Sequence, residues 1–364
     1  MDEIGPNGLM TIKETPFAAG GFGGIYLGLT NKNVRVAVKK SRAKVKPEYI
    51  ANAWFEAALA SNFNHVNILR LLSVVRQPNA APWLIFPYMS NGSLHKVLHS
   101  TDDCTLEQMQ SYEIKLSLTR DIVNGMEFLH SNRCVHRDLT TRNVLIDENF
   151  RGKITDFGLS TFLDGQGSVY RMIPKEAVIT GDDFLRAAFQ LYFIAPEVLP
   201  VYQKEYTFDE DEPSETFIEA MNGGSFDDWA QLADVNPHPT VNKIEVDTQP
   251  ESTSTGQASK TYLDPEGAYS FKSDIWSFGV VAHQIWTGGV HEPYTNTDYS
   301  GTTTTVRDLL QNYETMKKSP LHFVEIEGKY PEVTAIVKKT FHRNPKKRIS
   351  FCEMKKRFKL ISNS

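Results

Sequence analysis

The apolar residues of this chain change their spacing once, near Tyr88, and that change limits the folds open to it. From Leu9 to Phe86 they alternate with polar residues in short runs such as IYLGL and VRVAVKK, with turn residues between, which is the period of half-buried antiparallel strands. One interruption, EYIANAWFEAALASNF from Glu48 to Phe63, carries alanines and spaced apolar residues and predicts a helix. Beyond Tyr88, segments such as LEQMQSYEIKLSLTRDIVNGMEFLHS, FKSDIWSFGVVAHQIWTG and PEVTAIVKKTFHR repeat at helical spacing. The pattern predicts an α+β fold in two lobes, a small antiparallel sheet with one helix followed by a larger helical part.

Composition excludes several functions. The 364 residues are 40% hydrophobic and 23% charged, enough to bury a core, and the net charge of −5 offers no basic field for a nucleic-acid backbone. No run of about 18 apolar residues occurs, and the first residues lack a basic segment leading into an apolar one, so neither a membrane span nor a secretory signal is expected. Cys104, Cys134 and Cys352 are odd in number and far apart, which favours a reducing compartment: cytoplasmic, with the nucleus left open. Asn91-Gly92-Ser93 reads as a turn rather than a glycosylation acceptor, and the terminal KKRFKL as the solvated face of a closing helix.

Residues 201–267 stand apart. Their first half carries Glu205, Asp209, Glu210, Asp211, Glu212, Glu215, Glu219, Asp227 and Asp228 against Lys204, and their second half is rich in Pro, Ser and Thr. Burial there gains too little to offset ordering, so an acidic surface insertion is expected, with FDDWAQLADV able to form a short docked helix.

Chemistry concentrates in a few stretches. AAGGFGGIY, Ala18 to Tyr26, sets glycines between two strand-like runs, where they serve either a plain hairpin or a close backbone approach to phosphate; the strand that follows, instead of a helix, argues against a dinucleotide fold. VAVKKS places Lys39 in an alternating run, either solvated or, on the buried face, in need of an anion, for which Glu56 on the next helix is the candidate. HRDLTTRN, His136 to Asn143, packs so many hydrogen-bonding groups that it suits a loop built to hold something. KITDFGLS then brings Asp156 to another strand end. The side-chain oxygens of Asn143 and Asp156 are hard ligands suited to Mg²⁺, leaving Asp138 to orient a hydroxyl.

Taken together and in this order, the glycine loop, VAVK, HRD with its Asn, DFG and APE make the chain resemble a eukaryotic protein kinase from about Leu9 to Ile361, of the tyrosine or tyrosine-kinase-like group. The resemblance implies one kinase domain over 1–361, with an N-lobe of about 9–86, a hinge at 87–91 and a C-lobe of about 92–361. It implies ATP and Mg²⁺ as cofactors and proteins as substrates. Lys39, held by Glu56, would meet the α- and β-phosphates, Asn143 and Asp156 the metal, Asp138 the substrate hydroxyl, and Arg142 the transferring phosphoryl group. Ala18, Gly20, Gly21, Phe22, Gly23 and Ile25 would cover the nucleotide. Ala37, Phe86, Pro87, Met89 and Leu145 would surround the purine, with the Pro87 carbonyl and the Met89 amide bonding it. Asp274 would anchor the catalytic loop and Arg348 would pair with Glu197. Arg137 would grip a phosphate on the activation segment, carried by Thr161, Ser168, Tyr170 or Thr180.

The chain departs from the family in places. Ala18 replaces the first loop glycine, and Thr140 stands where Ser/Thr enzymes carry lysine, while Arg142 resembles the tyrosine-kinase form; a Tyr and a Ser/Thr acceptor hydroxyl both stay open. Two motifs, FIAPE ending at Glu197 and YLDPE ending at Glu266, compete to close the activation segment; the first is preferred because APEVL joined to AYSFKSD leaves no family residues missing. The alternative to an active enzyme is a pseudokinase scaffold that presents the insertion to a partner. Deleting 201–267 is expected to leave folding and basal activity intact while altering the choice of substrate or partner; a collapse of solubility or of basal turnover in the deleted protein would contradict that.

Overall fold

The computed structural model describes residues 9–13, 15–20, 23–41, 47–78, 80–163, 170–171, 192–198, 262–263, 269–289 and 324–361. Strands β1 (Leu9–Ile12), β2 (Ala18–Gly20), β3 (Gly23–Thr30), β4 (Arg35–Ser41), β5 (Ser73–Val75) and β6 (Trp83–Pro87) form one antiparallel sheet in the order β1-β3-β4-β6-β5, with β2 also paired to β3. Helix α1 (Pro47–Asn62) falls between β4 and β5 in the chain, as the alanine-rich stretch predicts.

Register decides which side chains face the helical lobe. Ile25 pairs with Lys39, Ala37 with Phe86, and Lys39 with Leu84. Directly paired residues share a face, so these five point one way. Tyr26, Val36, Val38, Lys40 and Ile85 point the other way, where Val36, Val38, Val75 and Ile85 make a separate apolar cluster backed by Tyr26 and Trp83. The two adjacent lysines are thereby separated: Lys39 turns inward, and the Lys40 ammonium lies 4.5 Å from the Tyr26 ring centroid and 4.3 Å from that of Trp83. Gly23 cannot carry a side chain, because a Cβ there would lie 1.9 Å from the Lys40 carbonyl oxygen.

The helical lobe comprises α2 (Leu94–Leu98), α3 (Asp103–Gln110), α4 (Tyr112–Ser131), α5 (Phe271–Thr287), α6 (Val324–Lys329), α7 (Pro331–Val337) and α8 (Phe351–Leu360) among the described residues. Helix α5 is buried continuously from Ser273 to Trp286, so its apolar residues need no polar face. Its start is fixed by a capping box between Ser270 and Ser273, and Gly279 lets the 3-10 turn Lys338–Phe341 approach to where a Cβ would meet Thr340 Oγ1 at 2.1 Å. Asn91-Gly92-Ser93 is the expected turn: Gly92 has φ 71°, and Ser93 caps α2 by accepting the Lys96 N–H. Helix α8 buries Phe351, Met354 and Phe358 and leaves Lys355, Lys356, Arg357 and Lys359 in solvent. No helix among the described residues is long and apolar enough to cross a membrane.

One ion pair ties the segment after the activation region to this core. Arg348 is 2% exposed, and its Nη1 and Nη2 donate to the two carboxylate oxygens of Glu197 at 2.5 and 2.7 Å. Nη1 also donates to the Lys272 carbonyl at 2.7 Å and Nε to that of His342 at 2.8 Å, while the Trp276 ring lies 4.9 Å away. Ser277 Oγ donates to the Phe193 carbonyl at 2.8 Å, which seats Tyr192–Val198 on α5. Ala195–Glu197 are thereby held against α5, as the closing motif preferred from the sequence would be. Asp264–Glu266 and FDDWAQLADV lie outside the described residues, and of 201–267 only Tyr262–Leu263 are described, as a strand paired with Tyr170–Arg171. Ser168 and Thr180 are outside them too; Thr161 is 2% exposed within a strand paired to β7 (Cys134–Val135), so its hydroxyl does not face solvent, contrary to its expectation as a phosphate carrier.

A buried guanidinium stripped of its carboxylate costs about 3–5 kcal/mol. Glu197→Ala is expected to lose about that much in urea unfolding, and Glu266→Ala about 0.5 kcal/mol or less. The reverse ranking would give the closing position to YLDPE.

Candidate active site

The inward face of the sheet delivers Lys39 to a carboxylate on each side. Its Nζ donates to Glu56 Oε1 and Oε2 at 2.7 and 2.9 Å and to Asp156 Oδ1 at 3.0 Å. Burial works against the ammonium, but the Asp156 and Glu56 charges outweigh it and the Lys39 pKa is raised. Lys39 is therefore a fixed cation, not a general base.

The octet is held from below by α5. Asp274, 1% exposed in the first turn of that helix, accepts the His136 N–H at 2.8 Å, the Arg137 N–H at 2.9 Å and a contact from His130 Nε2 at 2.9 Å. A carboxylate at a helix N-terminus is favoured by the helix dipole. Its grip matters because Arg137 has φ 71°, a left-handed conformation that a bulky residue does not take unaided. His136 Nδ1 accepts the Asp138 N–H at 3.2 Å, which puts the ring hydrogen on Nε2, facing the Thr155 carbonyl at 3.0 Å. The Arg137 guanidinium sits 4.0 Å from the Tyr269 ring centroid.

After Asp138 the chain makes one 3-10 turn, Thr141–Asn143, capped by Thr140, and enters β8 (Val144–Ile146), which pairs with β9 (Gly152–Ile154). Because Val144 is opposite Ile154, Asn143 and Asp156 emerge at the same end of this hairpin, and the Thr155 N–H donates to the Asn143 carbonyl at 3.0 Å. Asn143 Nδ2 donates to both the backbone carbonyl and Oδ2 of Asp138 at 2.8 Å. Asp156 has φ 63°, a second non-glycine residue in the left-handed region.

This donor set fits a magnesium nucleotide. With its nitrogen engaged by Asp138, Asn143 has its side-chain oxygen left as a ligand, and Asp156 adds a carboxylate; among the described residues no cluster of three or more His, Cys, Asp or Glu forms a self-sufficient metal cage. Mg²⁺ takes few protein ligands of hard oxygen and completes its shell with phosphate and water.

Most of the remaining expected residues lie on the sheet or against the main core. Ala37, Met89 and Leu145 are half-buried and packed on the main core, Phe86 is buried beside Ala37, and Pro87 ends β6. Ala18 lies opposite Ile25 and Gly20 opposite Gly23, while Gly21 and Phe22 are outside the described residues. Arg142 lies near His95 of α2 and His99 just after it, whose rings are 4.6 Å apart; burial first and that cation second press the His95 imidazole down to about 3. Sequence reasoning missed Phe17, whose ring meets Tyr88 edge-on at 5.8 Å where β2 begins beside the hinge. Its signal was an aromatic residue directly before the glycine loop.

Residues 12–179 and 243–358 match the family described as protein tyrosine and serine/threonine kinase. The unmatched stretch, 180–242, overlaps the expected 201–267 insertion without coinciding with it. It also omits FIAPE and retains YLDPE, although Glu197 is the residue that holds Arg348 in the fold. Among curated proteins the chain is similar to wall-associated receptor kinase-like 6 of Arabidopsis thaliana, 34% identical over 39% of this chain and 22% of that protein. It is also similar to wall-associated receptor kinase-like 1 of the same plant, 36% identical over 39% of this chain and 19% of the relative. With the tyrosine-protein kinase receptor svh-2 of Caenorhabditis elegans it shares 31% identity over 43% of its length and 14% of the receptor's. These matches span about a quarter or less of each relative. With the two-lobed architecture and a family match over most of its length, the chain belongs to the protein tyrosine and serine/threonine kinase family.

Proposed function

We propose that this kinase domain transfers the γ-phosphoryl group of ATP to a hydroxyl on protein substrates and that it is catalytically competent. The observation that carries the reading is the continuous polar chain Glu56–Lys39–Asp156, set beside Asp138–Asn143. Phosphoryl transfer depends on in-line positioning and charge neutralisation more than on covalent help. The Lys39 ammonium neutralises nucleotide phosphate oxygens, and Glu56 keeps it from drifting to solvent. Asn143 and Asp156 hold the metal, which when bound neutralises charge on the transferring group. Asp138, oriented by the Asn143 amide, accepts the hydrogen bond of the incoming hydroxyl and aligns its oxygen. Arg142, with no lysine at Thr140, is the octet's cation for the phosphoryl group, and it favours tyrosine as the acceptor.

Asp156→Asn is expected to lower Mg²⁺-dependent transfer from radiolabelled ATP by about a thousandfold while circular dichroism stays that of the wild type. Full activity in that variant would defeat the metal assignment, and a wild type inert with and without Mg²⁺ would favour the scaffold reading. On a mixed peptide library the acceptors are expected to be tyrosines; labelling confined to Ser and Thr would overturn the preference drawn from Thr140 and Arg142.

A further inference from the structure

One lysine of the helical lobe is withdrawn from water with no counter-charge. Lys115 of α4 is 7% exposed, and its ammonium forms no hydrogen bond or ion pair with any described residue. Tyr112, Lys115 and Thr119 are spaced three and four apart, so they line one stripe of the helix. That stripe faces the end of α5: the Tyr112 ring meets Trp286 edge-on at 5.5 Å, and Trp286 Nε1 donates to Thr119 Oγ1 at 3.1 Å. Tyr330, between α6 and α7, borders the same place, its ring centroid 4.7 Å from that of Trp286 and 5.6 Å from that of Tyr112. Its neighbour Lys329 adds a second, exposed cation, with Nζ 5.3 Å from the Tyr330 ring centroid. Burial first and the Lys329 charge second hold the Lys115 pKa below the usual lysine range. Glu113 and Glu332 act on the Tyr112 hydroxyl, but neither is among the charges that act on Lys115.

We propose that Lys115 and Lys329 form a binding site for a phosphoryl group, rimmed by Tyr112, Trp286 and Tyr330. The site is distinct from the His136–Asn143 loop, because Trp286 lies near the far end of α5 from Asp274, about 18 Å along the helix. A buried ammonium beside a like charge is unfavourable until an anion joins it. Two cations match a dianion, whereas a single carboxylate would leave one of them uncompensated. A phosphate also has oxygens enough to accept from both ammonium groups, which bind it as point charges. The inference does not depend on the catalytic reading of the nucleotide cleft.

The test reads Lys115 itself. In the full chain at neutral pH, acetylation of each lysine by an N-hydroxysuccinimide ester is followed by peptide mass spectrometry, with inorganic phosphate compared against chloride of equal ionic strength. Phosphate is expected to slow acetylation of Lys115 by about tenfold at about ten times its Kd, while the exposed Lys346 and Lys347 react as before. Without phosphate, Lys115→Met is expected to melt at or above the wild-type temperature, since an apolar side chain of similar length removes the lone buried charge. With phosphate the wild type gains melting temperature, and Lys115→Met and Lys329→Ala gain less. A phosphotyrosine peptide that protects Lys115 at lower concentration than inorganic phosphate would place the phosphoryl group on a protein, and equal protection would place it on free phosphate; both support the site. A Lys115 that does not react without phosphate, protection equal to that of Lys346, an undiminished phosphate gain in Lys115→Met, or a Lys115→Met that melts below the wild type without phosphate would overturn the proposal.

Discussion

A single ammonium group holds the two halves of this structure in a working relation. Lys39 is largely withdrawn from water, and a lone charge there would cost several kcal/mol, so it must have carboxylates. It has two, Glu56 from the helix beside the sheet and Asp156 from the loop beyond β9. The sheet register turns Lys39 inward, α1 supplies Glu56, and the β8–β9 hairpin supplies Asp156. An error in any of these would strand a charge, so the electrostatic requirement also specifies the fold.

The His136–Asn143 loop answers a different demand. Its backbone passes through a left-handed arginine, and two consecutive N–H groups point into the core. Asp274 satisfies both, and a buried N–H left unpaired costs about 1–3 kcal/mol. That carboxylate can sit there because α5 is capped by Ser270, begins at Phe271 and is buried along nearly its whole length. Strain at Arg137 and Asp156 is thus held in place by the continuously buried α5 and by the helix that carries Glu56.

Much of this was legible in the sequence because chemistry and periodicity pointed the same way. Lys39 in an alternating run, Glu56 on an alanine-rich helix, and Asn143 and Asp156 at two strand ends each announce a group that needs a partner, and the structure brings those groups together. Legibility ended where spacing is silent. Thr161 carries an available hydroxyl in the sequence, but strand pairing with Cys134–Val135 buries it. FIAPE and YLDPE look alike as strings, and only the buried Arg348 distinguishes them, through the bidentate contact to Glu197. Phe17 has no partner in the sequence to mark it, since the Tyr88 ring it meets is distant in the chain.

The account stands or falls on the charge of Glu56. The most direct measurement is steady-state phosphoryl transfer by Glu56→Gln, which keeps the side chain's shape and removes the carboxylate that holds Lys39 against Asp156. A fall in kcat/KM of about tenfold or more, corresponding to about 1.4 kcal/mol or more of lost transition-state stabilisation, is the predicted result. Wild-type turnover in that variant would show that Lys39 needs no anchor on α1.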